Sequence, residues 1–244
     1  MKSSLRLVAR CTLLSLVASL AQAAEPGFSS LFNGHDLAGW SGNPDFWSVQ
    51  DGAITGRSSV GTPLKGNTFI VWQGGQVTNF ELRAKFKLVA NNDKNFANSG
   101  VQYRSRLIDP AHWVVGGYQA DMDAGNTYTG MLYEEKGRGI LVQPGERIRI
   151  SGFGPTGKPQ LSPLGVRLAP TEIKAAIHAS EWNDLIIIAE GNHLRHFVNG
   201  MLTAEAVDTD STKSASTGVL ALQLHAGLPM TVQFKDISLK TLSP

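Results

Sequence analysis

Val101-Gln102-Tyr103-Arg104-Ser105-Arg106, Tyr118-Gln119-Ala120-Asp121-Met122-Asp123 and Leu220-Ala221-Leu222-Gln223-Leu224-His225 alternate apolar with hydrogen-bonding residues. Successive side chains of a strand point to opposite faces, so each stretch writes a core face and a polar face. The core faces read Val101/Tyr103, Tyr118/Ala120/Met122 and Leu220/Leu222/Leu224. The opposite faces read Gln102/Arg104/Arg106, Gln119/Asp121/Asp123 and Gln223/His225. A solvated strand face usually carries Lys, Glu, Thr and Ser. Amides, arginines, aspartates and a histidine are instead the groups that grip a polyhydroxy ligand. The plainer reading of the same pattern is an antiparallel sheet wet on one side.

Working outward, the same period of two dominates the chain. Phe80 to Leu88 places Phe80, Leu82, Ala84, Phe86 and Leu88 on one face and four charged residues on the other. Further strands are expected at Phe46–Val49, Thr68–Trp72, Gly130–Glu134, Ile148–Ile150, Leu185–Glu190, Leu194–Val198 and Thr231–Leu239. Asn199-Gly200 between two such runs signals a two-residue hairpin. Only Pro170–Ala176 reads as a helix, with Thr171 as its N-cap. Many short strands and little helix imply an all-β sandwich or barrel, and no fixed-period repeat favours a propeller. Gly137–Ala169, rich in Gly and Pro, reads as a surface excursion or an edge cover. No composition shift marks a linker, so one domain is expected.

Residues 1–23 read as a secretory signal peptide. Lys2, Arg6 and Arg10 form its basic start, Cys11 to Leu20 its apolar run, and Ala21-Gln22-Ala23 its cleavage site. The chain is therefore expected in the periplasm or the extracellular medium, as a domain over residues 24–244. Without the leader it holds no cysteine, hence no disulfide, thiol nucleophile or Cys-based zinc site. It would carry 19 basic against 20 acidic residues, a net charge of −1. No basic patch points to nucleic acid, and no second hydrophobic run points to a membrane span.

Several motifs fail on inspection. Gly152-Phe153-Gly154-Pro155-Thr156-Gly157 matches a dinucleotide-binding string, but Pro155, Pro159 and Pro163 prevent the helix that such a site needs. No nucleophile elbow, H-E-x-x-H pair or phosphate loop is present. Asp121, Asp123 and Glu134, with Glu135 nearby in sequence, are candidate ligands for a divalent cation such as calcium or manganese, although their spacing is not that of an EF-hand. Trp113, in a loop between two polar-faced strands, is placed to stack on a sugar ring or to anchor that loop. Trp40, Trp47, Trp72 and Trp182 read as core.

The opening Phe28-Ser29-Ser30-Leu31-Phe32-Asn33-Gly34-His35-Asp36-Leu37-Ala38-Gly39-Trp40 resembles that of the domain of unknown function 1080 family, described as 3-keto-disaccharide hydrolases. Asn98-Ser99-Gly100-Val101 with Arg104, Gly117-Tyr118 with Asp121, Thr129-Gly130 with Tyr133, Glu181-Trp182-Asn183, Val198-Asn199-Gly200 and Gly218 to His225 continue the likeness, which runs from Phe28 to Leu242. One departure bears on substrate choice or on the identity of the base. Many members follow Gly-Tyr with Glu-x-Gln, where this chain has Gln119 and Asp121.

The resemblance implies a concanavalin A-like jelly-roll sandwich of two antiparallel sheets. It also implies cleavage of glycosides whose ring carbon 3 is a ketone. That ketone acidifies the C2 proton, so a base can remove it and the glycosidic oxygen can leave by elimination, with water adding afterwards. Such a site needs a base, a donor or cation for the enolate oxygen and an acid for the leaving oxygen. Asp121 or His225 would be the base, since His titrates near neutral pH without help, and Arg104 would hold the enolate. Gln102, Gln119, Gln223 and Trp113 would bind the oxidised sugar, and Glu134 would serve as acid or cation ligand. The alternative from another class is a non-catalytic, lectin-like carbohydrate-binding module, which the same fold also supports.

Overall fold

The computed structural model describes residues 25–243; the leader read over residues 1–23 lies outside the described residues. Strands β1 to β6 are Ser29–Ser30, Trp40–Ser41, Trp47–Gln50, Ala53–Arg57, Thr68–Trp72 and Phe80–Ala90. Strands β7 to β12 are Asn98–Asp109, Val114–Asp123, Leu132–Glu135, Gly139–Val142, Glu146–Phe153 and Pro159–Pro163. Helix α1, Pro170–Ala176, follows, and then β13 to β17: Asn183–Glu190, His193–Val198, Met201–Asp208, Val219–Leu224 and Met230–Thr241.

The strands form two sheets facing each other. The larger runs β12-β11-β15-β14-β13-β6-β17-β4-β3, with β1 on β17; the smaller runs β10-β9-β8-β7-β16-β5-β2. Every pairing is antiparallel except β11 on β15, which is parallel. One apolar core fills the space between them. Phe80, Leu82, Ala84, Phe86 and Leu88 of β6 enter it from one sheet, and Val101, Tyr103, Tyr118, Ala120, Met122, Leu220, Leu222 and Leu224 from the other. The alternation in β6 is complete from Phe80 to Leu88, which pins its register, because a one-residue slip would expose all five apolar side chains.

A polar pin crosses this core. Tyr103 Oη donates to His196 Nε2 at 2.8 Å, and His196 Nδ1 donates to the Met131 carbonyl at 3.2 Å. Burial holds the His196 imidazole down to about 4, so it stays neutral and keeps one donor and one acceptor.

Local signals read from the chain hold at the turns. Asn199 (φ 47°) and Gly200 (φ 81°) join β14 to β15 as a left-handed pair. Helix α1 spans Pro170–Ala176, but Ala169 is its N-cap, with Glu172 Oε2 accepting the Ala169 N–H at 3.1 Å. Proline at the first helical position moved the cap one residue ahead of it, and Thr171 lies inside. Gly137–Ala169 is not a bare excursion, for it contributes β10, β11 and β12 at sheet edges. Its glycine string turns the β11–β12 hairpin, where Gly154 N–H donates to the Lys158 carbonyl at 2.8 Å.

Candidate active site

Because Tyr118, Ala120, Leu222 and Leu224 face the core, Gln119, Asp121 and Gln223 lie on the outer face of the smaller sheet. That face is not open. The β7–β8 hairpin reaches across it, so that Val115 packs on Phe69, Val71 and Ala221, and the Phe69 N–H donates to the Trp113 carbonyl at 3.1 Å.

A bulge allows this bend. Pairing steps from Tyr103↔Tyr118 to Arg106↔Gly116 on one side of β7, and from Ala221↔Gln102 to Val219↔Ser105 on the other. Strand β7 thus carries one extra residue against both neighbours. Arg104 takes it up in a left-handed conformation, φ 47°. The bulge needs glycine alongside: a Cβ on Gly218 (φ 158°) would lie 2.3 Å from the Arg104 carbonyl carbon.

Beside the hairpin lies a cleft of about 250 Å³. Asn98 of β7 and Gln119 and Asp121 of β8 form its floor with Gln223 of β16. Tyr133 and Glu135 of β9 make one wall; His225, just past β16, and Asn67, just before β5, make another. A continuous hydrogen-bond chain ties these groups together. Ser105 Oγ donates to Gln102 Oε1 (2.6 Å), Gln102 Nε2 to Gln119 Oε1 (2.7 Å), and Gln119 Nε2 to Asp121 Oδ1 (2.6 Å). Asn98 Nδ2 donates to Asp121 Oδ2 at 3.0 Å, and Gln223 Nε2 to Glu135 Oε2 at 3.2 Å.

Asp121 is 4% exposed. Burial pushes its carboxyl up to about 8, against the opposing pull of the Asn98 and Gln119 amides, with Asp123 and Glu135 adding like charge. His225 donates from Nδ1 to the Ala226 carbonyl at 2.5 Å, and its ring packs edge-on against Phe96. A carbonyl can only accept, so Nδ1 is a donor here and Nε2 is the ring nitrogen left for a ligand. The Tyr133 phenol is raised from its ordinary value by burial and by Glu135 and Asp121. The arrangement therefore combines a carboxyl that burial keeps protonated up to about 8, an imidazole and neutral amides in one cleft. Among the described residues, no Lys or Arg lines it.

Four of the residues read from the strand pattern meet here: Gln119, Asp121, Gln223 and His225. The others go elsewhere. The bulge turns Arg104 away from the cleft, and it donates to the carbonyls of Thr78 (2.7 Å), Gly191 (2.6 Å) and Ala215 (3.4 Å) and to Asn79 Oδ1 (3.1 Å). Arg104 is thus a staple between loops, because one inserted residue reverses the alternation that had placed it on the polar face. Gln102 stays on that face but sits fully buried behind Gln119. Glu134 pairs across from Tyr118 and faces the interior, where Arg138 binds it at 2.6 Å. Asp123 accepts the backbone N–H groups of Thr127, Tyr128 and Thr129 and so shapes its own loop. Asp121, Asp123 and Glu134 therefore do not converge as cation ligands, and no group of three or more His, Cys, Asp or Glu among the described residues is placed to hold a metal. Trp113 lines a neighbouring depression.

The strand pattern gave no site role to Asn67, Asn98 or Tyr133, and marked Glu135 only as a neighbour of the candidate cation ligands. Tyr133 and Glu135 share a face of β9, but Gly130–Glu134 alone left its facing open; the pairing Gln119↔Tyr133 decides it.

The sequence profile of the 3-keto-alpha-glucoside-1,2-lyase-like domain matches residues 27–240. The chain belongs to this family. No match was found among curated proteins. The fold of this lyase-like domain is shared with solved structures. One is a protein of Parabacteroides distasonis ATCC 8503 provisionally described as a glycosyl hydrolase (21% identity, 89% of this chain and 94% of that one, TM-score 0.54). Another is the carbohydrate-binding module CBM66 of Bacillus subtilis (16% identity, 83% and 96%, TM-score 0.52). A third is a Bacillus subtilis protein of unknown function with a galectin-like fold (12% identity, 84% and 90%, TM-score 0.54). The domain is thus an all-β jelly roll of a carbohydrate-related enzyme family. Among its described residues no helix is long and apolar enough to cross a membrane.

Proposed function

We propose that this domain cleaves 3-keto-glycosides by elimination across C1 and C2, followed by addition of water to the enone. The observation that carries this reading is the meeting of Asp121, Glu135 and His225 in one amide-lined cleft. A lectin can grip a sugar with amides and aromatics alone; buried carboxyls and an imidazole in one cleft suit proton transfer.

In this mechanism His225 Nε2 takes the C2 proton, and the C2–H electrons form the enolate with the C3 ketone. The enolate then collapses, the C1–O bond breaks, and the electron pair leaves on the glycosidic oxygen. Asp121, protonated below about pH 8, gives that oxygen its proton. Arg104 takes no part, so the enolate oxygen is held by neutral donors, with the Tyr133 hydroxyl best placed on the wall. Neutral donors suit a transient charge in a dry site, where an oriented hydroxyl is worth far more than in water. Water then adds at C1 and a proton returns to C2, giving the free 3-keto-sugar. The family's designation as a 1,2-lyase supports the elimination half of this sequence. A divalent cation bound in the cleft would have Asp121 and Glu135 as its carboxylates. The leader read in the sequence supports a reaction outside the cytoplasm, on an oxidised sugar supplied there.

The deciding experiment incubates purified protein with a 3-keto-disaccharide and follows release of free sugar. The expected result is release that is lost in Asp121→Asn and His225→Gln. Binding of the sugar without release would instead assign the domain to the carbohydrate-binding modules whose fold it shares.

A further inference from the structure

We propose that the depression beside the cleft receives the leaving group of the glycoside and selects one with a flat apolar face, a phenol over a small aliphatic alcohol. This rests on the elimination reading above, and it names the substrate class of that same site.

The two hollows are neighbours. Asn67 lines both, with its Nδ2 3.4 Å from Glu135 Oε2 and its Oδ1 accepting the Ala226 N–H at 3.0 Å. It forms the saddle between them. On one side lie Asp121 and Gln223; on the other Phe46, Leu64, Trp113 and Val114 surround a space of about 360 Å³ whose surface is mostly apolar. A glycoside with its sugar over the polar floor and its C1–O bond at the saddle therefore places the leaving group against Trp113.

Trp113 is held for such a role. Its backbone is left-handed, φ 49°, which a bulky residue rarely adopts. Its carbonyl accepts the Phe69 N–H, and its indole N–H donates to Ser41 Oγ at 3.1 Å. The Asp109 carboxylate caps the preceding turn through the Ala111 N–H at 3.1 Å. With the indole N–H satisfied and the ring only partly buried, what remains for a ligand is π-surface, which favours another flat ring.

The test compares phenyl and methyl 3-keto-α-glucoside in wild type, Trp113→Ala and Trp113→Phe, each checked for folding by circular dichroism. The measured quantity is the ratio of kcat/KM, phenyl over methyl, so the better departure of phenoxide cancels between proteins. The expected result is a fall of about tenfold in that ratio for Trp113→Ala, with most of it retained in Trp113→Phe. An unchanged ratio overturns the proposal. Binding of unoxidised phenyl α-glucoside by calorimetry gives a second measure that needs no turnover. If wild type cleaves neither substrate, the elimination reading fails. The subsite then stands only if phenyl glucoside binds about tenfold more weakly to Trp113→Ala, and it falls if the two affinities match.

Discussion

Glu134 and Glu135 are neighbours in β9, and their surroundings could hardly differ more. Glu134 turns into the sandwich and meets Arg138, which also binds Asp208 at 2.6 Å and Asp210 at 3.4 Å; Tyr118 Oη donates to Asp208 at 2.5 Å. The Arg138 side chain is 1% exposed. Glu135 turns outward and meets the amides of Gln223 and Asn67, with Asp121 across the cleft. Its nearest cation, Lys136 Nζ, is 4.0 Å away and mostly exposed. In one region buried carboxylates surround a guanidinium whose proton affinity they raise; in the other the Asp121 carboxyl is buried without a cation, near Asp123 and Glu135, and rises to about 8. The difference separates architecture from chemistry. Around Arg138 the acids are spent on holding a buried cation, whereas in the cleft burial leaves the Asp121 carboxyl able to gain or lose its proton near neutral pH.

The comparison can be broken first at Asp121. Asp121→Asn keeps the shape and the acceptor but removes the proton donor, and turnover of a 3-keto-glycoside is expected to fall about 10²–10⁴-fold with folding retained. Steady-state kinetics beside a circular dichroism spectrum would show whether Asp121 is only another sheet residue.

Arg138→Met strikes the other region. It leaves Glu134 and Asp208 buried without their cation, and a loss of about 3–5 kcal/mol is expected from the urea unfolding midpoint. A loss below 1 kcal/mol would show that the cluster is solvated in solution.

The third prediction concerns pH. The Asp121 carboxyl binds its proton more tightly in the folded chain, up to about 8, than in the unfolded one, near 3.8. Its contribution to stability is full below pH 4 and declines between about pH 4 and pH 8, with a limiting slope of about 1.4 kcal/mol per pH unit. Urea midpoints measured across that window should fall less steeply in Asp121→Asn than in wild type. Turnover that needs the protonated acid should likewise decline above about pH 8.

The smallest effect is expected far from both regions. Lys85 and Asp184 pair at 2.6 Å on the exposed face of the larger sheet, and Lys85→Met should cost at most about 1 kcal/mol and leave turnover unchanged.

Much of this molecule was readable from the chain. A period of two is a property of the strand itself, so Phe80 to Leu88, Tyr118 to Met122 and Leu220 to Leu224 announced their core faces before any partner was known. The same rule put Gln119, Asp121 and Gln223 on one outer face, and Asn199-Gly200 announced its turn because few residues accept a left-handed backbone. The resemblance to a known family supplied what periodicity could not, the jelly-roll topology that brings three distant strands side by side.

What periodicity could not carry past a bulge was the fate of Arg104. An inserted residue reverses the alternation, and only the pairing of β7 with both its neighbours shows where the insertion lies. Nor could it choose between Glu134 and Glu135, adjacent acids of one short strand whose facing is set by the register against Tyr118 and Gly117. The acidity of Asp121 is likewise a tertiary property. The sequence by itself determined which residue types stand on each face, since that follows from local backbone geometry. Which of those residues meet, which are covered and which stay unpaired was decided by contacts among strands far apart in the chain, and burial and charge act only through such contacts.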